Sequence, residues 1–167
     1  MTPLIPLSEA KARALEYMHK GFHCGPAVMQ VMWQAYGMQN EDFLWAGIPF
    51  LSGISGQQQA PCGAVSAAAV ALGLRHRCSL DDKRAAKQAR ESIRRSASHM
   101  VQAFQRKFGE ITCRGLLNID FSKEGEYKRF RESGVWKEKC EHYVQFVIEQ
   151  LYDLEAQAVS RPQSGAQ

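Results

Sequence analysis

The sequence predicts an all-α, single-domain bundle of five to six helices. Three observations carry that prediction. Apolar residues recur at steps of three and four through most of the chain, and no segment alternates apolar and polar residues long enough to read as a strand. A composition of 45% hydrophobic and 23% charged residues over 167 positions suits one ordinary core.

The elements follow in order. Ser8-Glu9-Ala10-Lys11 opens a first helix that runs to about His19, with Gly21 ending it. A second begins near Cys24, with Pro26 in its first turn and Val28, Val31, Met32 and Ala35 along one face until Gly37. Glu41 to Ala46 adds a short turn, and Leu51 to Pro61, with Gly53 and Gly56, reads as the most flexible interior stretch. Pro61 starts an alanine-rich helix through Leu74, small enough on its surface to sit at the centre of the bundle. Ser79 and Asp82 form a start like a capping box for a long helix whose core stripe is Ala86, Ala89, Ile93, Ala97, Met100, Phe104 and Phe108, stopped by Gly109. Cys113 to Leu117 is one helical turn, Ser122 to Glu132 a polar helix, and Trp136 to about Glu155 the last amphipathic one. The domain is expected over 1–159, with 160–167 a disordered tail. Trp33, Trp45 and Trp136 are expected in the core.

No apolar run approaches the length of a membrane span, and the N-terminus lacks a basic region followed by an apolar signal core, so a cytoplasmic location is expected. The net charge of +4 is concentrated between Arg75 and Arg95, where Lys83, Lys87, Arg90 and Arg94 recur at helical spacing. That stripe is a solvated face or a docking surface for an acidic partner. The absence of interleaved aromatics and of any binding motif argues against nucleic acid.

Chemistry, in this chain, means cysteine. Five cysteines are too few and too scattered for a secreted disulfide scaffold; in a reducing compartment they bind metal, do redox work or pack in the core. Cys24 is in helical register with Val28, Val31 and Ala35, Cys62 with Val65, Ala69 and Leu72, and Cys140 with Trp136, Val144, Val147 and Leu151. Cys113 precedes Leu116 and Leu117 by the same steps. Each thiol is therefore expected to point inward, and the amides at the helix starts near Cys24, Cys62 and Cys113 would favour a thiolate. Cys78, in the polar linker Arg75-His76-Arg77-Cys78-Ser79, stands apart. Against a shared site stands the habit of free cysteine to pack as a small hydrophobe, and no Cys-x-x-Cys pair anchors one. His23 precedes Cys24 but should face differently on a helix, and His142 lies off the Cys140 stripe. No Ser-His-Asp order, phosphate loop or carboxylate pair supports a hydrolase or a nucleotide-dependent enzyme.

The run Cys62-Gly63-Ala64-Val65-Ser66-Ala67, followed by Ala71-Leu72-Gly73-Leu74, resembles the redox-active family C_GCAxxG_C_C, named for its four characteristic cysteines. The family's first cysteine looks like Cys24 in His23-Cys24-Gly25-Pro26, its third like Cys113 in Thr112-Cys113-Arg114-Gly115, and its fourth like Cys140. Two departures stand out: Ala67 replaces the glycine that closes the central motif, and the glycine-rich approach is reduced to Ser52-Gly53-Ile54-Ser55-Gly56 before three glutamines. The resemblance implies a redox or metal role for Cys24, Cys62, Cys113 and Cys140.

The leading expectation is that these four thiolates bind an iron–sulfur cluster, of the two-iron type, for single-electron transfer to a partner redox protein. A thiol–disulfide oxidoreductase using Cys24 with Cys62 is the alternative, which needs a cysteine of depressed pKa and solvent access. A structural zinc or copper(I) site comes third, and an interaction module with no cofactor and passively packed cysteines fourth. The sequence leaves the oligomeric state open, a homodimer included.

Overall fold

The computed structural model describes residues 3–160, and among them every regular element is helical. The helices are α1 (Leu7–His19), α2 (Cys24–Ala35), α3 (Asp42–Gly47), α4 (Gly63–Arg75), α5 (Lys83–Phe108), α6 (Cys113–Leu117), α7 (Glu126–Ser133), α8 (Val135–Glu138) and α9 (Cys140–Ser160), with a 3-10 turn at Ile48–Phe50. The all-α prediction holds, but there are more helical segments than the expected five to six, because the connections after α2 and α6 coil into short helices of their own. Beyond Ser160, the expected tail lies outside the described residues. No helix among the described residues is long and apolar enough to cross a membrane.

The alanine-rich helix does sit in the middle. α4 packs most extensively on α2, and α9 crosses both while α1 covers α2 and α9. Val28, Val31 and Met32 of α2 meet Ala64, Ala68, Ala71 and Leu72 of α4, and Val144, Val147, Ile148 and Leu151 of α9 close the core. Each of the larger aliphatic side chains contributes about 1.5–3 kcal/mol by leaving water. The closest approach is at the start of the two central helices. A Cβ on Gly25 would stand 3.2 Å from the Gly63 carbonyl oxygen, and one on Gly63 would stand 2.1 Å from the Phe50 oxygen and 2.9 Å from Cys24 Sγ. Position 63 therefore has no room for a side chain, whereas Ala67, one turn on, fits its methyl in the fully buried core.

Several expectations need correction. Asp82, not Ser79, is the N-cap of α5, its carboxylate accepting from the Ala85 amide at 2.9 Å, so the helix starts only at Lys83. The stripe of α5 is buried at Ala86, Met100 and Phe104, with Ala97 and Phe108 packed alongside, but Ala89 and Ile93 are only half-buried and do not join the core. Lys83, Lys87, Arg90 and Arg94 are exposed there. Trp45 is 73% exposed, because α3 presents it outward.

Candidate functional site

Each cysteine expected to matter stands where a helix begins. Cys24, Cys113 and Cys140 are the first residues of α2, α6 and α9, and Cys62 is the N-cap of α4. The position of Cys140 corrects the expected continuous helix from Trp136: the chain breaks at Lys139 (φ −106°), separating α8 from α9. Unpaired amides and the positive ends of the longer helices α2, α4 and α9 thus face the same region.

Two local devices bring the thiols together. Pro61 pairs with Thr112 in an isolated antiparallel bridge, with the Cys62 amide donating to the Ile111 carbonyl (2.7 Å) and the Cys113 amide to the Ala60 carbonyl (3.2 Å). This clip ties Cys62 to Cys113, and it is why Pro61 ends an extended segment and does not open α4. The second device is the stretch read as flexible. Ser52, Gly53, Ile54, Ser55 and Gly56 all have positive φ (46°, 65°, 63°, 48° and 82°), a left-handed turn closed by the Ser55 amide on the Pro49 carbonyl at 2.9 Å and the Gln58 amide on the Ser52 carbonyl at 3.0 Å. Left-handed backbone costs roughly 1–2 kcal/mol at each non-glycine residue, and Ser52, Ile54, Ser55 and Gln58 all adopt it. Gly53 and Gly56 adopt that conformation without this cost. Gly53 also lies under Cys113, where a Cβ would come within 3.0 Å of the cysteine's own.

The result is one cavity of about 30 Å³ walled by Cys24, Cys62, Cys113 and Cys140 together with Ser52, Tyr143, Met18, Trp136 and Phe130. Cys62 and Cys113 are buried, Cys24 and Cys140 partly exposed, and Cys78 is exposed and away from the cavity. His23 reaches the wall because, as the N-cap, it lies outside the helical turn that would have turned it away. His142 does not; its ring bonds the Glu138 carbonyl on the outer face.

The four thiols are not equivalent. Cys24 is lowered from 9.0 to about 7, first by the Cys62 thiol donating a hydrogen bond to it, and further by the amides of Ser52, Gly25 and Ala64, against the opposing effect of burial. Cys62 is pushed well up, by that same hydrogen bond and by burial, so it stays the protonated donor. Burial raises Cys113 to about 12 and also raises Cys140. At neutral pH Cys24 is therefore the thiol that ionises, about half of it thiolate, beside Cys62, which stays protonated. Tyr143 is likewise raised to about 12 by burial and the neighbouring thiols.

Sequence reasoning missed Ser52, Gln58, Tyr143 and Arg131. Gln58 is 2% exposed; its side-chain oxygen accepts from the Phe121 amide at 2.7 Å, and its buried NH₂, close to Cys113, has no hydrogen-bond partner among the described residues. Arg131 lies 4.8 Å from the centre of the Trp136 ring and lines the cavity. The only signal for any of these was the pair of glycines at 53 and 56, which marked a turn without saying what it delivered.

Metal ligation asks more of the sulfurs than sharing a cavity. Among the described residues no group of three or more His, Cys, Asp or Glu side chains is placed to hold a metal ion. The donors are chemically right for iron or zinc, being soft thiols, but as placed they do not close on a common point.

Fold and site together define an all-α protein organised around a buried set of cysteines, one of them activated. The family model described as "Putative redox-active protein (C_GCAxxG_C_C)" matches residues 22–154, and the chain belongs to that family. Neither a curated protein nor a solved structure matches it.

Proposed function

We propose that the protein is a thiol redox protein in which Cys24 is the nucleophile and Cys62 the resolving thiol. The observation that carries this reading is the pairing itself: Cys24, lowered to about 7 and facing three backbone amides, beside Cys62, which is pushed well up and donates to it. Chemistry of this kind needs a thiolate near neutral pH and a second thiol within reach, and the attacking thiol is most effective when its pKa is close to ambient pH. Cys24 sulfur attacks an electrophilic sulfur or oxygen and expels the leaving group; Cys62 loses its proton, attacks the Cys24 sulfur and closes a disulfide. Two thiols become one disulfide, two electrons pass to the acceptor, and two protons leave overall.

A second reading keeps the four cysteines as ligands of an iron–sulfur cluster, or of zinc or copper(I). One observation favours it, that all four thiols line the same cavity at the starts of four helices. It requires the sulfurs to draw inward from where they stand. Anaerobic purification with iron, zinc, copper and sulfide analysis, combined with thiol counting after mild oxidation, separates the two. The dithiol reading expects no stoichiometric metal and the reversible loss of two thiols. Stoichiometric iron with acid-labile sulfide, lost in Cys62→Ser and Cys140→Ser alike, would replace it with the cluster.

A further inference from the structure

Resting on the dithiol reading, we propose that the oxidant this site takes is a small peroxide, hydrogen peroxide itself, admitted to the thiol cavity while larger oxidants are shut out. The cavity beside Cys24 measures about 30 Å³. A water occupies on the order of 10–15 Å³ on this measure, so the space holds two heavy atoms of an oxygen-sized molecule and nothing as large as a peptide disulfide. Most of its apolar wall is buried. Met18, Leu116, Leu117, Phe130 and Trp136 are all under 9% exposed, and Phe22, at 39%, is the exposed member of the lining. Access therefore runs past Phe22, beside partly buried His23 and Arg131.

The cavity is also furnished for oxygen chemistry. Cys24 sulfur lines it as the attacking atom, Arg131 brings a positive charge to its wall, and the Cys62 thiol is both a proton source and the resolving group. The reaction balances. Cys24 thiolate attacks one peroxide oxygen, the O–O bond breaks, and Cys24 carries a sulfenic acid while hydroxide leaves. That hydroxide takes the Cys62 proton and becomes water. Cys62 thiolate then attacks the Cys24 sulfur, forming the S–S bond and expelling a second hydroxide, which is protonated by solvent. Peroxide is reduced by two electrons to two waters, and the two thiols are oxidised to a disulfide. A small-molecule dithiol returns the pair to its reduced state.

The test uses the full chain carrying Cys78→Ser, which removes the exposed thiol, fully reduced and without oxygen. Disulfide formation is followed by quenched alkylation and peptide mass mapping with hydrogen peroxide, tert-butyl hydroperoxide and glutathione disulfide, each rate divided by that of the same oxidant with free cysteine thiolate. The size argument predicts a normalised rate for hydrogen peroxide at least roughly tenfold above the other two, and a narrowing of that gap in Phe22→Ala, or in Phe22→Leu where the alanine variant loses stability. Equal normalised rates, or a gap that neither Phe22 variant alters, overturn the peroxide proposal and leave the dithiol reading standing. Failure of all three oxidants to produce a Cys24–Cys62 disulfide overturns both.

Discussion

Replacing Cys62 with alanine removes the hydrogen bond that does most to hold Cys24 as a thiolate, and the consequence can be worked out. Cys24 stands at about 7 against an ordinary 9.0, with the Cys62 thiol as the largest cause and burial opposing it. That lowering corresponds to a few kcal/mol in favour of the anion, and a hydrogen bond to a charged group contributes about 1.5–3 kcal/mol. The amides of Ser52, Gly25 and Ala64 remain in Cys62→Ala, so the midpoint should rise by about one pH unit or more without passing far above 9.0. Near pH 7 the thiolate fraction then falls from about one half to about a tenth or less, and the alkylation rate with it. Cys62→Ser keeps a donor and should hold the midpoint low, which separates loss of the hydrogen bond from loss of a sulfur. The assay is the pH dependence of iodoacetamide alkylation, with thiolate absorbance alongside, in a chain also carrying Cys78→Ser, Cys113→Ser and Cys140→Ser. A Cys62→Ala midpoint that stays at about 7 would refute the assignment of Cys62 as the stabilising donor.

Further outcomes follow from the same geometry. Gly63→Ala would set a Cβ 2.1 Å from the Phe50 oxygen and should cost about 1–3 kcal/mol in urea unfolding, whereas Gly73→Ala, with nothing within 4 Å of its Cβ, should gain about 0.5–1 kcal/mol. Gln58→Leu leaves the Phe121 amide without its acceptor; it should cost about 1–3 kcal/mol in urea unfolding. Stability should rise with pH from about 7 toward about 8.5, where the unfolded chain still holds the Cys24 proton that the folded one has released. Above about 8.5 the sign reverses, because Cys113, raised to about 12, with Cys62 and Cys140, keeps its proton in the fold while the unfolded chain gives it up, three groups against one. Urea midpoints across this range check a maximum between about pH 8 and 9; a monotonic rise through about pH 11 contradicts it.

The helical class was legible because its signal is local. Val28, Val31 and Ala35, or Val144, Val147 and Leu151, repeat at the helical period whatever they pack against, and they were read correctly. Trp45 was misread because apolar character suggests burial only where the surrounding face is apolar too, and α3 is too short to declare a face. The four cysteines could be nominated from register and from the family resemblance, but their inequality could not. It arises from a bridge between Pro61 and Thr112, from the Cys62 thiol and from amides delivered by residues 52 and 64, contacts distant in sequence that leave no periodic trace. Gln58 shows the same limit: one polar residue in a run of three glutamines becomes buried beneath the site only through a left-handed backbone and a bond from the Phe121 amide.

The most direct test of the central claim is to oxidise the reduced Cys78→Ser chain mildly and without added metal, then map its disulfides by mass spectrometry. The account predicts one Cys24–Cys62 linkage, with Cys113 and Cys140 still alkylatable after denaturation. Oxidation that joins Cys113 to Cys140 first, or that leaves Cys24 and Cys62 as free thiols, would contradict it.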